Sequence, residues 1–230
     1  MSLKSQLETT RNKVVGDMPL GSWDRLMAEC AMLRASGLLQ AALRAGDSAP
    51  DFRLRDESGQ VVRLSDLFDE GPVVISFYRG DWCPFCRTEL RALGQVADEI
   101  RGLGASLVAV SPQPARTRRP LWPDRRTVSL LLDVEAKVSG EFGIAFTPGA
   151  DLFDAYAALG RPGDIPPAAT LPVPATYIVN SLGTIVFSYL DSDFSTRLEP
   201  AAILVALRRL SEARDEVSPA GTPLGADRDC

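Results

Sequence analysis

The run Trp82-Cys83-Pro84-Phe85-Cys86 constrains this chain more than any other segment. An apolar stretch precedes it, Val73-Val74-Ile75-Ser76-Phe77-Tyr78, and a stretch of helical period follows, Thr88 to Ile100. Two thiols therefore sit where a buried strand hands over to a helix. N–H groups in a first helical turn lack intrahelical partners and the helix dipole is positive there, so a thiolate is favoured over a thiol. Pro84 fits that first turn, where a missing N–H costs nothing. Two cysteines separated by two residues can also close a disulfide across one turn. The junction predicts thiol–disulfide or thiol–peroxide chemistry at an exposed helix start.

The rest of the composition removes most competitors. Histidine is absent, which excludes Ser-His-Asp and Cys-His catalysis and any His-containing zinc site. The four cysteines are Cys30, Cys83, Cys86 and Cys230. They form no second close pair, so a four-thiolate zinc site is disfavoured, and they are too sparse for an extracellular disulfide framework. The net charge of −5 argues against nucleic acid as a partner. The cluster Arg116, Arg118, Arg119, Arg125 and Arg126 reads as a solvated loop. No apolar stretch is long enough for a membrane span, and Met1 to Leu20 lacks the apolar core of a secretory signal, so a cytoplasmic address is expected.

Along the chain, residues 1–45 read as a helical extension. Leu26, Met27, Cys30, Leu33, Leu38, Leu39, Ala42 and Leu43 recur at helical spacing, with a break at Gly37. Cys30 lies on that stripe and reads as a small buried hydrophobe. Residues 46–210 form the main domain. Strands are expected at Asp51–Arg55, Gln60–Leu64, Val73–Phe77, Ser106–Val110, Val128–Asp133, Thr176–Val179 and Thr184–Leu190, and a closing helix at Pro200–Leu210. Strand, helix and strand around the two thiols make a βαβ unit, hence a partly parallel sheet. Arg161 to Pro174 is too rich in proline for regular structure. From about Ser211 to Cys230 a mobile tail is expected.

A strand, W-C-x-x-C at the start of a helix, and a later strand preceded by proline resemble thioredoxin-like proteins. The likeness extends further. Gly46-Asp47-Ser48-Ala49-Pro50-Asp51-Phe52, Leu64-Ser65-Asp66-Leu67, Cys86-Arg87-Thr88-Glu89-Leu90 and Thr176-Tyr177-Ile178-Val179-Asn180 with Gly183 resemble the motifs of the AhpC/TSA family, the peroxiredoxins and their relatives. The resemblance covers about three-quarters of the chain, Gly46 to Leu210. It implies an α/β thioredoxin-like fold, a central mixed sheet flanked by helices, here with an N-terminal helical extension. It also places Cys86 at the peroxidatic position. Three departures stand out: Arg79 replaces the loop proline, Cys83 replaces the threonine, and Pro174 occupies the place of an activating arginine. Thioredoxin-like reductases keep a cis-proline at that last position. The chain is similar above all to peroxiredoxin-like proteins bearing D-W-C-P-F-C.

What the resemblance implies is a thiol-dependent peroxidase. Cys86 would attack peroxide and become a sulfenic acid. Cys83 would close the disulfide, and a thioredoxin- or glutaredoxin-like donor would reopen it. Arg79 would supply positive charge, and Thr88 a first-turn hydrogen bond. The alternatives are a protein disulfide reductase, with Cys83 attacking and Pro174 shaping the groove, or a non-catalytic redox-sensing or binding module. No metal or organic cofactor is implied. The apolar stripe of the extension packs either on its own domain or on a second copy, giving a homodimer.

Overall fold

In a computed structural model the described residues are 1–113, 128–160 and 169–217, with side chains described through 213. The arginine cluster from Arg116 to Arg126, the proline-rich residues 162–167 and Cys230 lie outside them.

Val73–Phe77 (β3) explains the architecture. Every one of its residues is buried, so it must be covered on both faces. Its side chains alternate between two cores. Val74 joins Leu107, Ala109 and Ile178 on one face. Val73, Ile75 and Phe77 join Val108, Val110, Tyr177 and Val179 on the other. Around it runs a seven-stranded sheet in the order β2-β1-β5-β4-β3-β8-β9. The other strands are Arg53–Asp56 (β1), Val61–Arg63 (β2), Ser106–Ser111 (β4), Ser129–Leu132 (β5), Ala175–Val179 (β8) and Ile185–Leu190 (β9). β3, β4 and β5 are parallel neighbours, while β8 and β9 form an antiparallel hairpin beside β3. The expected mixed sheet is present, and Pro84–Gly102 (α5) is the crossover of its βαβ unit. Pro200–Val217 (α8) packs beside α5 and runs past residue 211, where the tail was expected to begin. Two further short helices are Leu64–Leu67 (α4) and Lys137–Glu141 (α6).

The region before β8 is not wholly irregular. Leu171–Pro172 (β7) pairs with Ala145–Phe146 (β6), and Phe153–Ala157 (α7) precedes it. Each is too short to leave a periodic signal.

The extension forms three helices, Leu3–Asp17 (α1), Ser22–Ala35 (α2) and Leu38–Ala41 (α3). Gly37 breaks the last two apart with φ +83°, a conformation open to glycine at little cost. Leu3, Leu7, Leu26 and Cys30 enter the same core as Cys83, Phe85 and Cys86. The apolar stripe is therefore spent on its own domain, which removes the reason for expecting a homodimer through it. α1 lies against α5. Its first turn is held by Glu199, whose carboxylate accepts from the N–H groups of Leu3 at 3.1 Å and Lys4 at 2.7 Å. Among the described residues no helix is long and apolar enough to cross a membrane.

Candidate active site

The backbone turns sharply between β3 and α5. Gly80 has φ +137°, and a side chain there would strike the Trp82 indole nitrogen at 2.6 Å. The turn closes with the Cys83 N–H donating to the Gly80 carbonyl at 3.1 Å. Cys83 then stands at the N-cap of α5 in an extended conformation, with Pro84 at the first helical position. Cys86 follows one turn on, and its side chain contacts that of Cys83. Both thiols are free, as is Cys30.

The expected exposure is not found: Cys83 and Cys86 are both 0% exposed. The helix start is covered because α1 lies along α5 and an aromatic cluster closes above it. Trp23 of α2 packs against Phe85 at 6.1 Å and Phe194 at 5.9 Å. Arg11 of α1 stacks on Trp23 and reaches Asp193 at 3.2 Å and the Ser195 hydroxyl.

Two buried guanidinium groups flank the sulfurs. Arg197 donates through Nη2 to Cys86 Sγ at 3.4 Å and through Nε to the Glu89 carboxylate at 2.6 Å. Its Nη1 donates to the carbonyls of Phe194 and Thr196. Glu89 comes from the second turn of α5 and is as buried as its partner. Burial pushes the Glu89 carboxyl up to about 7 against the pull of Arg197, while the same contact holds the guanidinium more firmly charged. The short separation marks a charged pair at and above neutrality, since ion pairs of this length are charge-assisted bonds.

Arg79 is fully buried too, and differently held. Its guanidinium carbon lies 4.4 Å from the ring centres of Tyr156 and Phe194 and 5.2 Å from that of Trp82. None of its three side-chain nitrogens has a hydrogen-bond partner. Ring contacts supply roughly 0.5–2 kcal/mol each, whereas a buried unpaired ion costs several kcal/mol. The cage alone does not compensate. The dithiol supplies negative charge within reach of Arg79, whose field lowers the Cys83 thiol. Burial raises the Cys83 thiol. The thiol and amide of Cys86, with the fields of Arg79 and Arg197, overcome that and bring it down to about 6. Cys86 is held up by burial and by its neighbour sulfur. The pair thus carries one proton and one negative charge at neutral pH.

Of the residues singled out in the sequence, Cys83, Cys86 and Arg79 meet in one buried cluster. Thr88 does not join it: its hydroxyl donates to the Pro84 carbonyl at 3.0 Å and meets Thr10 of α1 at 3.2 Å. Pro174 is buried beside β8. The register that pairs Phe77 with Ala175 puts it opposite Tyr78, one residue before Arg79. Its peptide bond is trans, since no described residue has a cis bond, so the cis-proline of the reductase reading is absent. Arg197 and Glu89 were missed. Arg197 stands 111 positions from Cys86 in no recognisable motif. Glu89 lies inside a quoted motif, and an acidic residue one turn beyond a thiol on the buried face was the available signal. Cys30 is buried as expected, its thiol pushed up to about 11 by desolvation.

Known proteins resemble this chain in sequence and fold. The chain is 29% identical over 169 residues to the provisionally named peroxiredoxin Rv1608c of Mycobacterium tuberculosis, covering 73% of this chain and 98% of that protein. It is 30% identical over 145 residues to the chloroplastic peroxiredoxin Q of Oryza sativa subsp. japonica, covering 63% of this chain and 58% of that protein. The crystal structure of peroxidoxin BcpB from Mycobacterium tuberculosis superposes with a TM-score of 0.55 at 25% identity, over 73% of this chain and 98% of that one. The sequence model of the AhpC/TSA family matches residues 45–188, well over half the chain, and with the sheet order and the dithiol at the head of α5 it makes this protein a member of that family.

Proposed function

We propose that the protein is a thiol-dependent peroxidase of the peroxiredoxin kind whose working unit is the Cys83–Cys86 pair. The observation that carries this reading is a pair of contacting thiols at the head of α5, with Arg197 donating to Cys86 and the buried guanidinium of Arg79 acting on Cys83. Cys86 attacks the terminal peroxide oxygen. The O–O bond breaks, an alcohol or water leaves, and the sulfur keeps one oxygen as a sulfenic acid. Arg197 and the main-chain N–H of Arg79, both directed at Cys86, favour negative charge there. Cys83 then attacks the Cys86 sulfur and expels the oxygen as hydroxide or water. One peroxide has accepted two electrons and the dithiol has become a disulfide. A second order, with Cys83 attacking first, is favoured by its readier ionisation and is kept for that reason.

Peroxiredoxins draw on thioredoxin-type reductants, and a thioredoxin- or glutaredoxin-like donor in the reducing cytoplasm is the regeneration route we assign. The match to the AhpC/TSA family model supports the peroxidase over the reductase reading. Single serine variants treated with stoichiometric peroxide and a sulfenic-acid trap distinguish the orders by mass spectrometry. Cys83→Ser retains a trapped adduct on Cys86, and Cys86→Ser loses peroxide turnover. An adduct found only in Cys86→Ser reverses the roles, and the absence of any adduct or turnover in the wild type sinks the peroxidase reading.

A further inference from the structure

The segment between β9 and α8 uses alternate residues for two tasks. Asp191 pairs with Arg34 of α2 at 3.3 Å, and Asp193 with Arg11 of α1 at 3.2 Å. Glu199 holds the first turn of α1. Between the last two, Arg197 reaches instead to Cys86 and Glu89 on α5. The acidic groups of the segment thus grip the extension, while its cation serves the sulfurs.

A long side chain meets a sulfur reproducibly only if its backbone and its fork are both held. Arg197 leaves a tight turn, and Asp193 closes that turn. The Asp193 carbonyl accepts from the Thr196 N–H at 3.0 Å and from the Thr196 hydroxyl at 2.9 Å. Asp193 Oδ1 accepts from the Ser195 N–H at 2.9 Å and from the Ser195 hydroxyl at 2.6 Å. In this way an Asp or Asn side chain locks the backbone two residues on. The locked turn presents the Phe194 and Thr196 carbonyls to Arg197, whose Nη1 donates to both. With Nη1 held there and Nε on Glu89, Nη2 is the nitrogen left for Cys86 Sγ. The other carboxylate oxygen of Asp193, Oδ2, takes Arg11. One oxygen shapes the turn and the other pins α1. The further charged or titratable groups around the turn are Asp191, which accepts from the Asp193 N–H at 2.9 Å, Cys30 against the Phe194 main chain, Tyr189 against the Thr196 side chain, and Arg79 on the Phe194 ring.

We infer that Asp193 is a positioning residue for the peroxidase reaction: through the turn it closes, it fixes the guanidinium of Arg197 on Cys86. This rests on the peroxidase reading and extends it to a side chain that touches no reacting atom. The division of its two oxygens makes the role separable from that of a clasp on α1.

Two substitutions divide the tasks. Asp193→Asn keeps a short acceptor for the Ser195 N–H and gives up the charge that holds Arg11. Asp193→Glu keeps the charge, but its longer side chain does not form the two-residue turn. Each reduced protein is mixed with hydrogen peroxide for a single turnover, and loss of free thiol is timed. Asp193→Glu is expected to react roughly 10- to 100-fold more slowly than wild type, as misplacement of a group on the reacting atoms does. Asp193→Asn is expected to recover most of that loss. A direct view of Arg197 comes from nuclear magnetic resonance. Its Nε–H, bonded to a buried carboxylate, gives a slowly exchanging signal, assigned by its loss in Arg197→Lys. That signal is expected to shift and to exchange faster in Asp193→Glu and to stay in place in Asp193→Asn, the remaining spectrum showing that both fold. If Asp193 serves only to pin α1, the pattern reverses, with Asn altered and Glu like wild type. Asp193→Glu oxidised as fast as wild type, Asp193→Asn as slow as Asp193→Glu, or an unmoved Nε–H signal in Asp193→Glu overturns the inference. A wild type inert to peroxide overturns the peroxidase reading instead, and the Nε–H signal still decides whether Asp193 places Arg197.

Discussion

At the scale of single residues, Glu89 is the group whose role is easiest to separate from simple structure. It touches Arg197 and not the sulfurs, so it positions rather than reacts. Its charge opposes a thiolate at Cys86, as the mutual influence of the two groups shows. Glu89→Gln therefore lowers the apparent pKa of the dithiol below about 6, read from iodoacetamide alkylation against pH. The same change leaves Arg197 held by the Phe194 and Thr196 carbonyls but loosens its Nε anchor, and a small misplacement of a group that binds the reacting atoms slows chemistry by roughly 10- to 100-fold. Easier ionisation with slower peroxide oxidation is the expected split. An unchanged or raised thiol pKa contradicts the positioning role. The two cysteines were legible because a strand-to-helix junction announces itself locally. Arg197 was not, because what gives it meaning is a contact across the fold, from the segment between β9 and α8 to Cys86 and Glu89 on α5.

Among the elements, α1 contributes most to closing the site and least to its own stability. Only Leu3 and Leu7 of its side chains are buried. The rest of its attachment is polar: Glu199 at its first turn, Thr10 on Thr88, and Arg11 on Asp193. Such contacts on a partly exposed helix are worth roughly 0.2–1 kcal/mol each, with about 0.5–2 kcal/mol for a capping carboxylate. Release of α1 is thus a low-energy event compared with opening the sheet. A chain lacking residues 1–21 is expected to keep the sheet while its dithiol reacts with an aromatic disulfide reagent at least tenfold faster. If the rate is unchanged, α1 is not what shields the sulfurs. The helical character of this region was readable from the spacing of Leu26, Cys30 and Leu33. Its position over α5 was not, since periodicity shows that a face is buried and not against what.

For the molecule as a whole, the dithiol's ionisation couples redox state to stability. Cys83 titrates at about 6 in the fold and near 9 in an unfolded chain. A depressed folded value means that its contribution is fully present above the unfolded pKa and is lost as pH falls through the folded one. Cys30 acts the other way, its contribution fading only as pH rises above 9 towards about 11. Between pH 7 and 9 the reduced protein should therefore gain in urea midpoint, whereas the disulfide form, with no thiolate, should stay level. A parallel rise in both forms would place the effect elsewhere. The sheet that bears this coupling was largely legible, because continuous apolar runs such as β3 and β8 fit only doubly covered strands. The short β6 and β7 ladder was invisible, since two residues carry no period. The clamp of Glu199 on Leu3 and Lys4 has a practical consequence. A purification tag fused ahead of Met1 would tug on the turn that seals the sulfurs, and an enzyme so handled would look more accessible, and easier to reduce, than the untagged chain.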